Sequence, residues 1–280
     1  AKAGARDFYE GESAISIAAD LEAGGSPLRA RDLAAYDVIW APALTGRYRD
    51  FDIAAVPGLS GGPTFFDAAQ RLADGPLSRE TSAAQAALLY ATAIRAAYEK
   101  RLNTLGHAAT PEAGCTSHVS VVDRSGTMVS LTNTLLSRFG AKVALPQSGI
   151  IMNNGMMWFD PRPGQPNSIA ADRKPLANMC PLVLSQGGRP VLAIGAAGGR
   201  TIFPTVLQLI SGLSDFGLSL EEAFHRPRID ASTPRIKIDA RAEADVAATV
   251  AGAFPVEIVQ DTLYPVNFSI PSAVMASKRG

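Results

Sequence analysis

Thr116 opens the run Thr116-Ser117-His118-Val119-Ser120-Val121-Val122-Asp123, which follows Gly114-Cys115 and alternates in polarity as a half-buried strand does. A threonine hydroxyl is a weak nucleophile at its own pKa and needs an adjacent base. Cleavage of the Cys115–Thr116 bond would supply that base from the same residue, because an α-amine with a pKa near ~8 takes a hydroxyl proton at neutral pH. The hydroxyl can also perform the cleavage: its oxygen attacks the Cys115 carbonyl, an N-to-O shift leaves an ester, and water frees the new terminus. Far downstream, Gly195-Ala196-Ala197-Gly198-Gly199 turns from an apolar run into a helical one. Glycines at 198 and 199 let backbone N–H groups approach a ligand with no Cβ in the way, and a helix start favours negative charge. A hydroxyl at the head of a strand and amides at the head of a helix are the two halves of an acyl-transfer site.

Each of these residues also has a plainer reading. Threonine at a strand start is common, Gly198-Gly199 also suits an ordinary strand-to-helix turn, and Thr134 an ordinary strand. Asn153-Asn154 before Gly155 reads as a turn. His118 reads as structural, since the α-amine would already serve as base. Cys180 reads as a small buried apolar residue and Trp158 as core. Cys115 as a nucleophile is disfavoured, because nothing nearby supplies a base or charge to lower its pKa.

The elements that must position these groups follow from periodicity and punctuation. Residues 14–21 have helical spacing and stop at Gly24-Gly25, and residues 28–36 form another short helix. Strand-like stretches are expected at 37–40 and 52–56, a loop at 57–63, a helix at 64–72 and a long alanine-rich helix at 82–100. Residues 101–114 are polar and contain Pro and Gly, which predicts an exposed linker between a helical half and a strand-rich half. Strands at 118–122 and 127–131 are joined by Asp123-Arg124-Ser125-Gly126, a hairpin signal. Residues 153–181 lack periodicity, 191–194 form a short buried-type strand, 201–213 a helix, and 220–225 a helix ended by Pro227.

Composition narrows the class. The chain has 280 residues, 47% apolar and 19% charged, with zero formal net charge. That is an ordinary globular mix with a sizeable core. No Lys/Arg run suggests a nucleic-acid partner, and no apolar run approaches the ~20 residues of a membrane span. Two cysteines and three histidines, scattered, predict neither a disulfide framework nor a metal site. No signal peptide is recognisable. The chain starts without Met, so an upstream part is expected, and the compartment, periplasm or cytoplasm, stays open.

Residues 116–123 resemble the processing motif of the γ-glutamyltransferase family of N-terminal-nucleophile hydrolases, Thr-(Thr/Ser)-His-x-Ser-Val-Val-Asp. Val129-Ser130-Leu131-Thr132-Asn133-Thr134-Leu135 resembles the strand with the family's second threonine. Gly149-Ile150-Ile151-Met152-Asn153-Asn154, Lys174-Pro175-Leu176 and Gly195 through Gly199 are similar to later blocks. Asp32-Leu33-Ala34-Ala35-Tyr36 and Ser60-Gly61-Gly62 resemble the C-terminal region of the large subunit. The resemblance implies an α+β fold, the four-layer αββα N-terminal-nucleophile hydrolase sandwich. It makes 1–115 the C-terminal part of the large-subunit region and 116–280 the small-subunit region, one domain of a longer proenzyme. It implies Thr116 as nucleophile, Thr134 holding its hydroxyl, Gly198 and Gly199 as oxyanion hole, and Cys115–Thr116 as the cleavage site. The implied partners are a small-molecule amide and the two subunits of one precursor; no cofactor or metal is implied. An N-terminal part carrying an arginine for the substrate carboxylate lies outside the chain.

The expected substrate-binding positions are Asn153, Asn154, Gly155, Trp158, Ala177 and Asn178, and here the chain departs from the family. Where the family has an asparagine after the second threonine, this chain has Leu136. Its acidic residue for the α-amine is Trp158, its upstream Glu/Gln is Gly155, and its paired serines are Ala177 and Asn178. An ammonium stripped of its acidic partner binds poorly. The expectation is therefore an autoprocessed amidohydrolase or acyltransferase whose acyl donor is not a typical γ-glutamyl amino acid. The alternatives are a glutaryl/cephalosporin-type acylase, a small-amide (oxamate-like) hydrolase, or, in another class, an uncleaved non-catalytic scaffold.

Overall fold

The sheet that carries the site is built from both halves of the chain. The computed structural model describes residues 4–106, 115–260 and 267–276. Helices α1 (Arg6–Glu10), α2 (Glu12–Ala23) and α3 (Ala30–Ala34) precede strands β1 (Leu44–Tyr48) and β2 (Phe51–Ala55). Helices α4 (Gly62–Ala73) and α5 (Ala83–Leu105) follow, then the hairpin β3 (Cys115–Val122) and β4 (Met128–Leu136). After a 3₁₀ turn (Gly155–Trp158) come β5 (Leu182–Gln186), β6 (Arg189–Ala197), a 3₁₀ turn (Gly199–Thr201), α6 (Ile202–Ser214) and α7 (Leu220–His225). The chain continues through β7 (Ile229–Asp230), β8 (Ile236–Asp239), α8 (Ala244–Ala251), β9 (Val256–Val259) and β10 (Ile270–Met275).

One antiparallel sheet has the order β1-β2-β5-β6-β10, with β2 paired to β5 across the two halves. A small sheet, β7-β8-β9, forms a satellite. Along β2 and β5, Phe51, Ile53, Ala55, Leu182 and Leu184 enter the main core with Phe65 and Ala68 of α4, Ile94 of α5 and Val206 and Ile210 of α6. Strand β6 is buried on both faces. Leu192, Ile194 and Ala196 join that helical core, while the buried Gly195 of the opposite face lies beneath the hairpin. Burial on both faces explains why β6 reads as a continuous apolar run rather than an alternating one. The described residues thus stack helices, sheet and hairpin.

The hairpin inverts the usual pattern of polar side out. Thr116, His118, Ser120, Ser130, Thr132 and Thr134 are half-buried on its inner face. Val119, Val121, Val129 and Leu131 on its outer face are 49%, 48%, 50% and 55% exposed.

Several expectations are corrected. Residues 37–40 are not a strand; they have no ladder partner among the described residues, and Trp40 is 91% exposed. The strand forms at β1, where the register with β2 supplies partners from Leu44↔Ala55 to Tyr48↔Phe51. The linker was expected from residue 101, but α5 continues through Leu105 and Arg101 is buried. Polar composition misled there because the guanidinium is satisfied by carbonyl oxygens of other segments. The rest of that stretch, 107–114, lies outside the described residues, His107 and Gly114 included. Strands β5, β7, β8, β9 and β10 and helix α8 were not anticipated; each is at most eight residues long, near the limit where periodicity carries information.

A buried carboxylate locks the first strand pair to the helices. Asp215, at the end of α6, accepts hydrogen bonds from Tyr48 Oη at 2.6 Å, Arg49 Nε at 2.7 Å and Ser211 Oγ at 2.6 Å. Burial, and then the bond to Asp215, push the Tyr48 hydroxyl well above the usual tyrosine range. Asp215→Ala removes the shared acceptor of Tyr48 and Arg49 Nε and should lower the unfolding free energy by about 3 kcal/mol, read as a lower urea midpoint with an unchanged m-value.

Candidate active site

Cross-strand register assembles the site. In the hairpin Thr116 faces Thr134, His118 faces Thr132 and Ser120 faces Ser130. These are same-face neighbours, close enough for short side chains to bond across the strands. His118 Nδ1 lies 2.8 Å from Thr132 Oγ1 and Nε2 lies 3.1 Å from Ser120 Oγ. Burial holds the His118 pKa below the ordinary histidine value, which favours the neutral ring. Ser130 Oγ donates to the Ile194 carbonyl at 2.9 Å and Ser120 Oγ to the Ser272 carbonyl at 3.4 Å. The imidazole itself lies on Gly195; a Cβ there would fall 2.7 Å from Nε2 and closer still to Cε1 and Nδ1. His118 is therefore fully used in seating the hairpin on β6 and β10.

One step along the same face stands Thr116, half-buried. Its hydroxyl donates to Thr134 Oγ1 at 3.2 Å. Thr134 Oγ1 in turn donates to the Cys115 carbonyl at 3.1 Å and accepts the Leu136 N–H at 2.9 Å. The Thr134 hydroxyl thus uses its one proton and both lone pairs. A bulge at Cys115/Thr116 makes this possible: Cys115 pairs with Leu136 and Thr116 with Thr134, so Leu135 is left over. Leu136 absorbs the bend at φ +74°, the left-handed region that costs an L-residue about 1–2 kcal/mol. In that chain of bonds a proton leaving Thr116 has an acceptor, and the carbonyl that Thr116 would attack has a donor.

The hairpin also lies along β6, the strand that leads into the glycine turn. Ser130 and Ser120 sit over Ile194 and Ser272, and His118 over Gly195, so each step toward Thr116 advances along β6 toward Gly198. Gly198 (φ +151°) and Gly199 (φ +64°) form the turn. A Cβ on Gly198 would fall 2.8 Å from Ser269 Cα, so only glycine fits. Thr201 Oγ1 braces the turn, donating to the Gly198 carbonyl at 3.0 Å and meeting Ser269 Oγ at 2.7 Å. A helix start leaves its first N–H groups without intrahelical partners, available to a developing oxyanion.

The remaining expected residues fall into two groups. Asn154 is tied to the end of β4: its N–H donates to the Leu135 carbonyl at 3.1 Å, and its side chain pairs with Ser137 through Ser137 N–H at 3.0 Å and Ser137 Oγ at 2.8 Å. Asn153 Oδ1 accepts the Gly155 N–H at 2.9 Å. Trp158 is half-buried, its ring 3.7 Å from where a Gly155 Cβ would be. These four residues therefore flank the Thr116 end of the hairpin. Ala177 and Asn178 are instead held by Leu59 and Arg101, and no hydrogen bond joins them to the hairpin among the described residues. Cys180 is buried, which pushes its thiol up to about 12, and Cys115 is exposed. Sequence reasoning missed Ser137, Ser269 and Arg101, since none lies in a motif and their partners are far away in sequence. Among the described residues no three His, Cys, Asp or Glu side chains cluster as metal ligands would, and no helix is long and apolar enough to cross a membrane.

Comparison with known proteins places the chain. The sequence profile of the gamma-glutamyltranspeptidase family matches residues 1–113 and 103–256. The chain belongs to that family. It is similar to the glutathione hydrolase proenzyme of Escherichia coli, 28% identical over 279 residues, covering 81% of this chain and 48% of that protein. It is also similar to the acylase ACY 1 proenzyme of Pseudomonas sp. strain SE83, 42% identical over 118 residues, or 42% of this chain and 21% of that one. The cephalosporin acylase of Bacillus halodurans shares the fold, with a TM-score of 0.81 at 21% identity over 99% of this chain and 57% of its own. This chain thus spans about half the length of the E. coli relative.

The contact between His118 and Gly195 is directly testable. Gly195→Ala must displace the ring and break its bonds to Thr132 and Ser120. Overpacking of this kind should cost about 2 kcal/mol or more, seen in urea unfolding, whereas an alanine at Gly126, where nothing lies within 4 Å, crowds no neighbour and bears only the strain of its φ of +86°.

Proposed function

We propose that this chain is part of an autoprocessing threonine amidohydrolase or acyltransferase. In this reading residues 1–115 end the large-subunit region and residues 116–280 form the small-subunit region. The carrying observation is the Thr116–Thr134–Cys115 hydrogen-bond chain. As Thr116 Oγ1 attacks the Cys115 carbonyl carbon, its proton passes to Thr134 Oγ1 while the Thr134 proton passes to the Cys115 oxygen that gains charge, and that proton is the one the Thr116 nitrogen takes up as the carbonyl re-forms. The C–N bond breaks as the nitrogen of Thr116 takes up a proton, and water hydrolyses the resulting ester. Thr116 then carries a free amine. That amine takes the Oγ1 proton as the hydroxyl attacks a substrate amide, and the proton goes on to the departing amine. The Gly198 and Gly199 N–H groups hold the oxyanion, and water or an amine resolves the acyl-enzyme. Proenzyme relatives support the self-cleavage.

The substrate reading follows from the side chains near the site. Leu136, Gly155, Trp158, Ala177 and Asn178 carry no charge, so nothing among them pairs with an α-ammonium. An acyl group without that ammonium, of the glutaryl or short-amide kind, fits better than γ-glutamyl. Similarity to the acylase ACY 1 proenzyme and to the fold of a cephalosporin acylase agrees with this. The outer face of the hairpin, Val119, Val121, Val129 and Leu131, is read as the inner side of the fourth layer of an αββα sandwich.

Two experiments test the proposal. Purified protein should run as two bands on a denaturing gel, with Thr116 at the sequenced terminus of the smaller. Thr116→Ala should remain one band and lose amidase activity by roughly 10⁴-fold or more. One full-length band from the unmodified protein after long incubation supports the non-catalytic alternative. Separately, Trp158→Asp should raise kcat/KM on γ-glutamyl anilide by about 10-fold, because a carboxylate gives the ammonium a charge-assisted partner. Fast turnover of γ-glutamyl anilide by the unmodified protein contradicts the substrate assignment.

A further inference from the structure

At the N-terminal end of α5 the packing opens. Ala83, Ala86, Ala87 and Tyr90 lie on one face of that helix, at i, i+3, i+4 and i+7. Three of the four are alanines, so α5 does not fill the space between itself and Leu209 of α6, Ala223 of α7 and Val246 of α8. What is left is a cavity of about 400 Å³. Protein interiors hold few voids larger than a water molecule, and small-molecule pockets run from roughly 300 to 1,000 Å³. Among the described residues, none of the hairpin or of the Gly198-Gly199 turn lines this cavity. Arg101 lies roughly 20 Å farther along α5 from Ala87, at ~1.5 Å of rise per residue.

Most polar groups around the cavity are committed elsewhere. Tyr90 Oη lies 2.8 Å from Ser211 Oγ; Ser211 gives its only proton to Asp215, so Tyr90 is the donor. The Gln208 amide donates to the Pro204 and Ile229 carbonyls, both at 2.8 Å, and accepts the Ile229 N–H at 3.0 Å. Arg241 pairs with the buried Asp239, and Arg228 donates to the Phe224 carbonyl at 3.4 Å. Although burial opposes it, the Arg241 hydrogen bonds and the charge of Arg228 hold the Asp239 carboxyl below the usual range. Arg226 is different. It is half-buried, its guanidinium carbon 4.3 Å from the centre of the Phe216 ring, and its side chain makes no hydrogen bond or ion pair among the described residues. The guanidiniums of Arg226, Arg228 and Arg241 meet two carboxylates, Asp239 paired to Arg241 and the exposed Glu243 at the rim. Asp215, the other carboxylate near Tyr90, is paired to Arg49. One positive charge is left over, and it adjoins a wall of alkyl and aromatic carbon.

We propose that this cavity is a second ligand site, for a small organic monoanion with an apolar body: an aryl- or alkyl-carboxylate, its charge on Arg226 and its carbon skeleton against Ala83, Ala86 and Ala87. The guanidinium fork matches a carboxylate in geometry, and stacking on Phe216 holds that fork in one orientation. An inorganic oxyanion fits worse, because it would shed water against alanine carbon. The site is separate from Thr116 and does not depend on the acyl-transfer reading.

Calorimetry on the full-length protein tests this with three probes of one shape: phenylpropanoate, the neutral phenylpropanol and the cationic phenylpropylamine. The carboxylate should bind roughly 10-fold or more tightly than the other two. Arg226→Ala should lower its affinity roughly 10-fold, and Arg226→Lys should keep part of it. Ala83→Leu fills the cavity from a half-buried helix position without touching a charge, and should abolish binding. Thr116→Ala should leave the affinity unchanged. No binding of the carboxylate at about 10 mM, equal binding of the alcohol, or binding that both Arg226→Ala and Ala83→Leu leave unchanged overturns the proposal. Loss of binding in Thr116→Ala puts the compound in the catalytic site and overturns it as well.

Discussion

The imidazole of His118 resting on the bare backbone of Gly195 is the contact on which the site depends. Hairpin and central strand must approach until side chain meets main chain, and no Cβ can stand between them. Because the ring is bonded to Thr132 and Ser120, its position also sets the rotation of the hairpin about its axis. Thr116 and Thr134 are one step farther along the same face, so their orientation is inherited from that contact. The hairpin uses polar side chains inward for this reason: each inward hydroxyl or imidazole has a specific partner, which an apolar face would not supply.

A second constraint is the bulge at Cys115/Thr116. A regular ladder would place one residue opposite each residue and leave the Thr134 hydroxyl without a backbone donor. The extra residue turns Leu136 into the left-handed region and brings its N–H to Thr134 Oγ1. Backbone strain beside the threonine pair thus has a visible return, a hydroxyl whose every bond is assigned and whose orientation is set. Leucine accepts this conformation poorly and has no polar group to offer a substrate, so the same position that orients the threonine pair also helps make the surroundings apolar.

Helix α5 connects the two sides. Its core face, with Ile94 and Ala97, packs among the helices and sheet, while Tyr98 and Arg101 reach past the core to the glycine turn and the 177–178 segment. The Gly-Gly turn is held from three directions, by Tyr98, Thr201 and Ser269. Rigid support of this kind suits amides that must point at a charge before it forms.

What the sequence determined by itself is local. The alternation from His118 onward, the Asp123–Gly126 turn, the long alanine-rich helix and the glycines at 198 and 199 each follow from side-chain shape and backbone freedom over a few residues. The motif around Thr116 was legible through its resemblance to a family pattern of consecutive residue types. Only the tertiary structure decided what those pieces meet. Arg101 looked like linker because polarity says nothing about carbonyl partners 41 and 76 residues away. Residues 37–40 looked like strand although no neighbouring strand is there to receive their hydrogen bonds. The short strands β5 and β10 gain their stability from flanking β6 rather than from their own sequence, and Leu136 adopts its strained angle because the bulge demands it. Pairing and burial are properties of two distant segments at once, so neither segment alone encodes them.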